Sequence, residues 1–465
     1  MRLLMGCFPA GIESGILGGG RGMRRILILI GIGGIAWGYG LFAALNAQEV
    51  TTGAYSPQVE PPRVPASLTL ATAIEYARRW HPRLQAVREQ IRMAQSEAVT
   101  ARLRPNPTFT FSGENVTQTG REQEWFAFFS QTIETAGKRQ RRRDVAEWTV
   151  RAAEAAAQEV ERHLLTEVKL AYERALLERA RWELARENLE TFRQIVRYNE
   201  VRVAEGYTAE GDLIKVRLEA QRAEFTLRQA RLNYEQAKIA LLRAMGATSF
   251  DLEFELREEL TFEPVSFQAE ELERAALERP EAVRARAEVE RAYALWQLER
   301  ARAKPDLVAS FGYKRHGPDN TLYGAVSLPL PIFNRNQGEI ERAEAQWRQA
   351  EAEWRLVRGE ILAELAAARR AVEVAAEQVE NLRRDFLQRA EDARAVALAA
   401  YREGAADLLI LLEAQRAHTA ARELYLQALS EYRRALHELE RATGLERLPR
   451  GVRPPVSSDA SRVSP

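Results

Sequence analysis

The strongest pattern along the chain is a run of apolar residues spaced by three and four. Val145, Trp148, Ala152, Ala155, Val160, Leu164, Val168, Ala171 and Ala175 follow it, and Trp182, Ala185, Leu189, Phe192 and Val196 continue it. That spacing is a coiled-coil seam, and its many alanines permit close helix approach. No glycine or proline lies between Lys138 and Glu205. A helix of about 68 residues rises roughly 100 Å at 1.5 Å per residue. A second run, Glu339 to Glu403, is interrupted only by Gly359 and predicts a partner of similar length.

Shorter helices are predicted around them, over about 69–80, 82–103 and 210–245, and again over 269–279, 281–303 and 407–443. The order repeats because the punctuation repeats. His81-Pro82 matches Arg279-Pro280, and Ala101 to Pro105 matches Ala301 to Pro305. Gly206, Tyr234, Ala237 and Gly246 match Gly404, Tyr432, Ala435 and Gly444. So many matches in one order indicate a duplicated unit. The predicted organisation is repeat 1 over 67–246, an inter-repeat segment over 247–268, and repeat 2 over 269–445. Each return helix covers half of its long helix, and each middle helix can cover the rest if stacked end to end with it. The alternating Phe250 to Leu256 predicts a short strand packed outside the columns at mid-height.

Period-two alternation marks four strands. They are expected at about Thr108–Glu114 (Phe109 and Phe111 on one face), Glu124–Ile133, Asp306–Lys314 and Leu322–Leu330, with polar loops at Asn115–Gln123 and Arg315–Thr321. Pro105, Pro107, Pro305, Pro329 and Pro331 sit at the opposite ends, where a missing ladder donor suits a strand giving way to a helix. Each strand has the length a tilted membrane strand needs. Four strands cannot close a barrel, for which about eight is the practical minimum. The chain is therefore expected to oligomerise. Two copies give eight strands and eight helix columns, and three give twelve of each. Twelve columns about 10 Å apart leave a lumen of roughly 28 Å, against about 15 Å for eight. The expected fold class is mainly α with a small membrane β-barrel, a trimeric α-helical barrel capped by twelve strands.

Composition and termini narrow the function. Lys+Arg and Asp+Glu number 67 and 66, and arginines alternate with glutamates at helical spacing, as in Glu147/Arg151. An ion-paired, solvated face explains them, and no nucleic-acid partner is expected. Arg24-Arg25 before the apolar stretch Ile26 to Leu45, with Ala43, Ala44 and Ala47 at its end, predicts an export signal over 1–47, with Met23 a possible start. Residues 48–66 read as a linker and 446–465 as a disordered tail. The only cysteine, Cys7, precedes the apolar stretch. The five histidines show no metal-ligand spacing, and neither a nucleophile elbow, a phosphate loop nor a dinucleotide fingerprint is present. No enzyme activity, cofactor or structural metal is expected.

The duplicated plan and two strand-to-helix junctions, Ser130-Gln-Thr-Ile-Glu-Thr-Ala-Gly-Lys-Arg139 and Ser327-Leu-Pro-Leu-Pro-Ile-Phe-Asn-Arg-Asn-Gln-Gly338, resemble the TolC-type outer-membrane efflux proteins over about 67–445. The junctions look most like the branch serving heavy-metal cation efflux. The resemblance implies a homotrimer with a barrel in the outer membrane and a helical tunnel in the periplasm. It also implies a periplasmic adaptor and an inner-membrane RND-type pump as partners. The helix turns furthest from the barrel, Gly206 to Asp212 and Tyr401 to Asp407, become the tunnel's narrow end. Gly206, Glu210, Asp212 and Gly404 are then adaptor-contact candidates. The family's carboxylate ring maps onto Glu413, but its second position is Ile410, so Asp407, Arg402 and Tyr401 join Glu413 as constriction candidates. The acids also fit helix N-termini, where they would offset the dipole. Two other readings are a periplasmic adaptor and a purely structural coiled coil of the envelope. An adaptor has one hairpin beside a lipoyl-like domain, and a structural coiled coil needs no paired aromatic strands.

Overall fold

A computed structural model of the chain describes residues 61–117, 120–446 and 448. The expected signal, most of the linker and most of the tail lie outside these residues. After a two-residue strand β1 (Ser67–Leu68) come α1 (Leu70–Trp80), α2 (Pro82–Arg102), β2 (Thr108–Glu114), β3 (Glu124–Ile133), α3 (Lys138–Ala204) and α4 (Glu210–Met245). Then follow β4 (Glu255–Leu256), α5 (Ala269–Leu277), α6 (Pro280–Arg302), β5 (Leu307–His316), β6 (Asp319–Ser327), α7 (Gln337–Asn381), α8 (Leu387–Arg402) and α9 (Leu408–Thr443). None of these helices is long and apolar enough to cross a membrane.

Helix α3 spans 67 residues and forms the spine. It packs on α2 and α6 toward the strands, and on α4 and α9 toward the far turns. Helix α7 packs likewise on α6 and then α9. The shorter helices meet end to end. Gly246, which ends α4 at φ +76°, lies so close to His81 that a Cβ there would sit 2.7 Å from the imidazole. His81 in turn caps α2, accepting from the Arg83 amide on Nδ1. Gly444, which ends α9 at the same φ, abuts Arg279 before α6. Both glycines close a helix in the left-handed region, where a side chain would be strained.

Four details differ from expectation. The second long helix is not uniform, because Leu382–Phe386 form a π turn between α7 and α8. The segment after α4 forms only a two-residue parallel bridge, β4 with β1, although Phe254 and Leu256 are buried as the alternation required. Side chains take the carbonyls a longer strand would have used. Lys238 and Arg179 bind the Leu252 and Leu256 oxygens, Arg433 that of Glu259 at 2.8 Å, and Tyr432 that of Glu263 at 2.8 Å. The third strand runs on to His316 and the fourth starts at Asp319, so Gly317-Pro318 alone replaces the long loop expected there. Gly317, at φ +55°, supplies the positive φ a two-residue hairpin needs. The fourth strand also stops at Ser327, short of Leu330, since Pro329 and Pro331 cannot donate.

At mid-height α3 and α9 are joined by buried charges. Glu173 is fully buried and meets Arg433 Nε at 2.8 Å and His437 Nε2 at 3.2 Å. His437 Nδ1 lies 2.9 Å from Glu440, which also pairs with Lys169 at 2.7 Å. Burial alone would lower the His437 imidazole, but hydrogen bonds to Glu173 and Glu440 outweigh it and raise its pKa above 6.5. Burial would raise Glu440, but His437 and Lys169 hold it below 4.5. A raised imidazole stabilises the fold fully below its unfolded pKa, and that stabilisation fades as pH rises through the folded value. Glu440 stabilises above its unfolded pKa and loses this as pH falls. The network is therefore most effective between about pH 4.5 and 6.5. The unfolding temperature, followed by circular dichroism in detergent, should fall between about pH 6 and pH 9, and His437→Gln should flatten that fall.

Candidate channel surfaces

Strands β2, β3, β5 and β6 form one antiparallel sheet in that order. Its register places Phe109, Phe111, Trp125, Phe129, Ile133, Phe311, Tyr313, Leu322 and Val326 on one face. Phe111, Phe311 and Val326 are 62%, 65% and 73% exposed. The rings pack on each other, Phe109 on Phe129 at 4.9 Å and Phe111 on Trp125 at 5.5 Å, and nothing among the described residues covers them. An apolar face of this extent marks a surface meant for lipid or another protein. The other face is mainly polar. Ser130 and Ser310 hydroxyls lie 2.9 Å apart, and Lys314 is 2.9 Å from Glu124. Strands β2 and β6 are the sheet's edges, and neither has an outer neighbour among the described residues.

The sheet is held rigidly to the helices. At the β3–α3 corner Ala136 and Gly137 take φ values of +55° and +70°. Asp306, just before β5, accepts from the Thr135 amide at 2.8 Å and from the buried Lys138 Nζ at 2.7 Å. Arg139 Nε donates to the Arg102 carbonyl at 2.7 Å. On the other side Asn336 Nδ2 donates to the Glu299 carbonyl at 2.9 Å. The two junction motifs singled out in the sequence are thus the corners where strands turn into helices.

At the opposite end, Gly206 and Gly404 take φ values of +78° and +76° and close α3 and α8 by the same wrap. The Tyr207 amide reaches the Arg202 carbonyl at 2.8 Å, and the Ala405 amide reaches that of Ala400 at 2.8 Å. Glu210 and Asp212 lie in the first turn of α4, and Asp212 pairs with Lys215 at 3.1 Å. Asp407 occupies the N-cap of α9 without a side-chain capping bond. Asp407 and Glu413 are exposed and form no ion pair among the described residues. Six residues apart, they point about 120° away from each other around the helix. Glu413 lies closer in angle to the exposed Ile410 than to Asp407. Arg402 is exposed, whereas Tyr401 is buried.

The partners of Tyr401 escaped the sequence reading. Its hydroxyl donates to Asn199 Oδ1 at 2.5 Å, and Asn199 Nδ2 donates to the Ile195 carbonyl at 2.8 Å. Asn199 is fully buried. The Tyr198 hydroxyl donates to the Arg402 carbonyl at 3.2 Å, and Arg202 lies over both tyrosine rings at 5.7 and 5.5 Å. Burial raises the Tyr401 pKa, with Asn199 opposing. A polar asparagine on the apolar track of α3 was the available signal.

Among the described residues, one group has metal-ligating composition, Glu159, His163 and Glu281, with ligand atoms within 4.8 Å. Arginines already engage its carboxylates. Arg284 Nε lies 2.8 Å from Glu159, and Arg162 and Arg279 both meet Glu281. Burial and then Arg162 lower the His163 pKa. This surplus of positive charge opposes a cation.

A sheet with an uncovered aromatic face is mounted here on a wall of long helices. The chain belongs to the outer membrane efflux protein family, whose profile matches residues 73–247 and 272–445. It is 28% identical to the cobalt-zinc-cadmium resistance protein CzcC of Cupriavidus metallidurans, across 91% of this chain and all of that one. In fold it resembles solved CusC, with a TM-score of 0.70 at 19% identity over 84% of this chain and 96% of that one. It also resembles the outer membrane protein VceC of Vibrio cholerae, with a TM-score of 0.66 at 21% identity over 81% and 96%. The protein is an outer-membrane efflux channel and not an enzyme, which sets aside the adaptor and coiled-coil readings.

Tyr401→Phe should leave the buried Asn199 oxygen without its donor, at a cost of about 1–3 kcal/mol. Amide exchange in the last turns of α3 and α8 should quicken while exchange at mid-height stays unchanged.

Proposed function

We propose that three copies of this chain close a twelve-strand barrel in the outer membrane, continued into the periplasm by a helical tunnel. The observation that carries this reading is the sheet with one aromatic face, one polar face and two free edges. In lipid every backbone donor and acceptor must be paired, so the free edges need strands from other copies. The direction of the strands permits it, because β2 and β6 are antiparallel and each can therefore pair antiparallel with the opposite edge of the next copy. Three copies also give the wider lumen. Along the helices, Leu218, Phe225, Leu232 and Ile239 recur every seven residues on α4, all exposed, a seam that suits a neighbouring copy.

In this reading the tunnel is a passive duct. It takes solutes from an inner-membrane RND-type pump through a periplasmic adaptor, which docks at the turns carrying Gly206, Glu210, Asp212 and Gly404. Likeness to a cobalt-zinc-cadmium resistance protein supports divalent metal cations as the solute. The repeat boundaries at 67–246 and 269–445, with an export signal before them and a disordered tail after, complete the proposed organisation.

Native mass spectrometry of the detergent-purified protein should give a trimer, and a stable monomer would overturn the reading. Purified trimers should also conduct in planar bilayers.

At the narrow end, Glu413 and Asp407 on three copies bring like charges around one axis. A ring of carboxylates favours cations and holds a divalent ion that slows conduction. Asp407→Ala with Glu413→Ala should weaken cation preference and divalent block with trimer yield unchanged. Unaltered block would move the constriction to Arg402 or another residue of the turns.

A further inference from the structure

Glu147 and Arg151 have the spacing of a helix ion pair, yet they do not meet. Glu147 lies 3.9 Å from Arg143, and the Arg151 guanidinium sits 4.4 Å from the centre of the Trp148 indole instead. The same choice is made on the two neighbouring helices. Arg286 of α6 and Arg358 of α7 both lie over the Trp354 indole, at 5.6 and 5.8 Å. Arg355 donates from Nε to the Glu351 backbone carbonyl at 3.4 Å rather than to its carboxylate. Arg151, Arg286, Arg355 and Arg358 form no ion pair among the described residues.

These groups surround a groove of about 870 Å³. Trp148 of α3 and Trp354 of α7 stand on either side of α6, whose Val283 and Ala287 lie between them. Arg151, Arg286 and Arg355 line the groove, and Glu290 and Glu351 do so as well. Four guanidiniums thus face two carboxylates. Two of those guanidiniums share one indole with no acid on either, which concentrates positive charge there. An arginine stacked on an indole keeps its fork of N–H donors free for an acceptor.

We propose that this groove binds a small aromatic carboxylate or sulfonate. Its volume is that of a ligand pocket. Indole walls and an apolar floor suit a flat ring, and the guanidinium forks suit a paired-oxygen anion. Glu290 and Glu351 restrict the ligand to a single negative charge, because a second would be repelled by them. Trp148 stands ten residues into α3 and Trp354 seventeen into α7. The groove therefore lies roughly 15–25 Å beyond the corners where strands become helices. That distance takes it clear of the strands that would meet lipid, so a dissolved anion rather than a lipid headgroup is the occupant. Every part of the site comes from one chain, and it needs no neighbouring copy.

The test is equilibrium dialysis of the detergent-purified full chain against naphthalene sulfonate, with protein-free micelles as the blank. Binding should saturate at one probe per chain. Arg286→Gln with Arg358→Gln should weaken it at least about tenfold, and Trp354→Leu should weaken it too. Both arginines are exposed, and Arg358→Gln alone should act in the same direction, so the test holds even if the double variant fails to fold. Arg228→Gln, which removes a charge paired with Glu224 on α4, should leave binding unchanged. Naphthol, with the same rings and no charge, should bind at least about tenfold more weakly. Equally tight binding of naphthol or of octanoate overturns the proposal, as does a dissociation constant unmoved by the arginine variants or the absence of saturable binding. None of these outcomes bears on whether three copies close a barrel.

Discussion

Pairing of backbone hydrogen bonds where water is absent is the constraint on which this architecture turns. A four-stranded sheet with a bare aromatic face is a liability in water, because its edges are templates for uncontrolled pairing. In a bilayer the same sheet is stable only when its edges are closed. In the proposed trimer each chain supplies a third of the strands that closure needs. Its helices follow from this, since the strand order β2, β3, β5, β6 is also the order in which α2, α3, α6 and α7 pack side by side. The wall of the helical part is the sheet's order continued, held in line by corners such as Asp306 with Thr135 and Lys138.

Below the sheet, stability comes from seams rather than from one globular core. Three separate apolar clusters punctuate the columns, two at mid-height and one at the far turns. Between the mid-height clusters and the sheet, alanines such as Ala152, Ala155, Ala287 and Ala294 are buried, which lets the helices approach closely. The mid-height clusters are belted by residues 252–263, whose carbonyls are claimed by Lys238, Arg179, Arg433 and Tyr432. The arginines that alternate with glutamates are thus of two kinds. Most are exposed helix-face pairs of little energetic weight, and a few, such as Arg433 on the buried Glu173, join one column to the next.

How much was legible in advance depended on the range of the signal. The helices and the two-faced strands follow from local periodicity, because burial on one side imposes a period of 3.6 or 2 regardless of partner, whereas end-to-end stacking of the shorter helices was suggested by their lengths alone. The glycines at 206, 246, 404 and 444 marked helix ends for a similar reason, since each takes a positive φ that other residues resist. The hairpin at Gly317-Pro318 was misjudged because a polar run looks alike whether it loops freely or pairs. The π turn at Leu382–Phe386 left no mark, because it is a local register change within a helix of ordinary composition.

The sequence by itself determined the elements, their order and the fact that one chain leaves its sheet open, since these depend on residue spacing and strand number. Tertiary structure alone decided which side chains meet across the columns. Asn199 and Tyr401, or Glu173, Arg433 and His437, stand some two hundred residues apart or more, and only the packing of α3 on its neighbours brings them together. It also decided the alignment of Glu114, Glu124, His316 and Asp319. Register between strands from different repeats is set by how helices hold the strand ends, and a one-residue slip between β3 and β5 would have turned His316 and Asp319 to the face opposite Glu114 and Glu124.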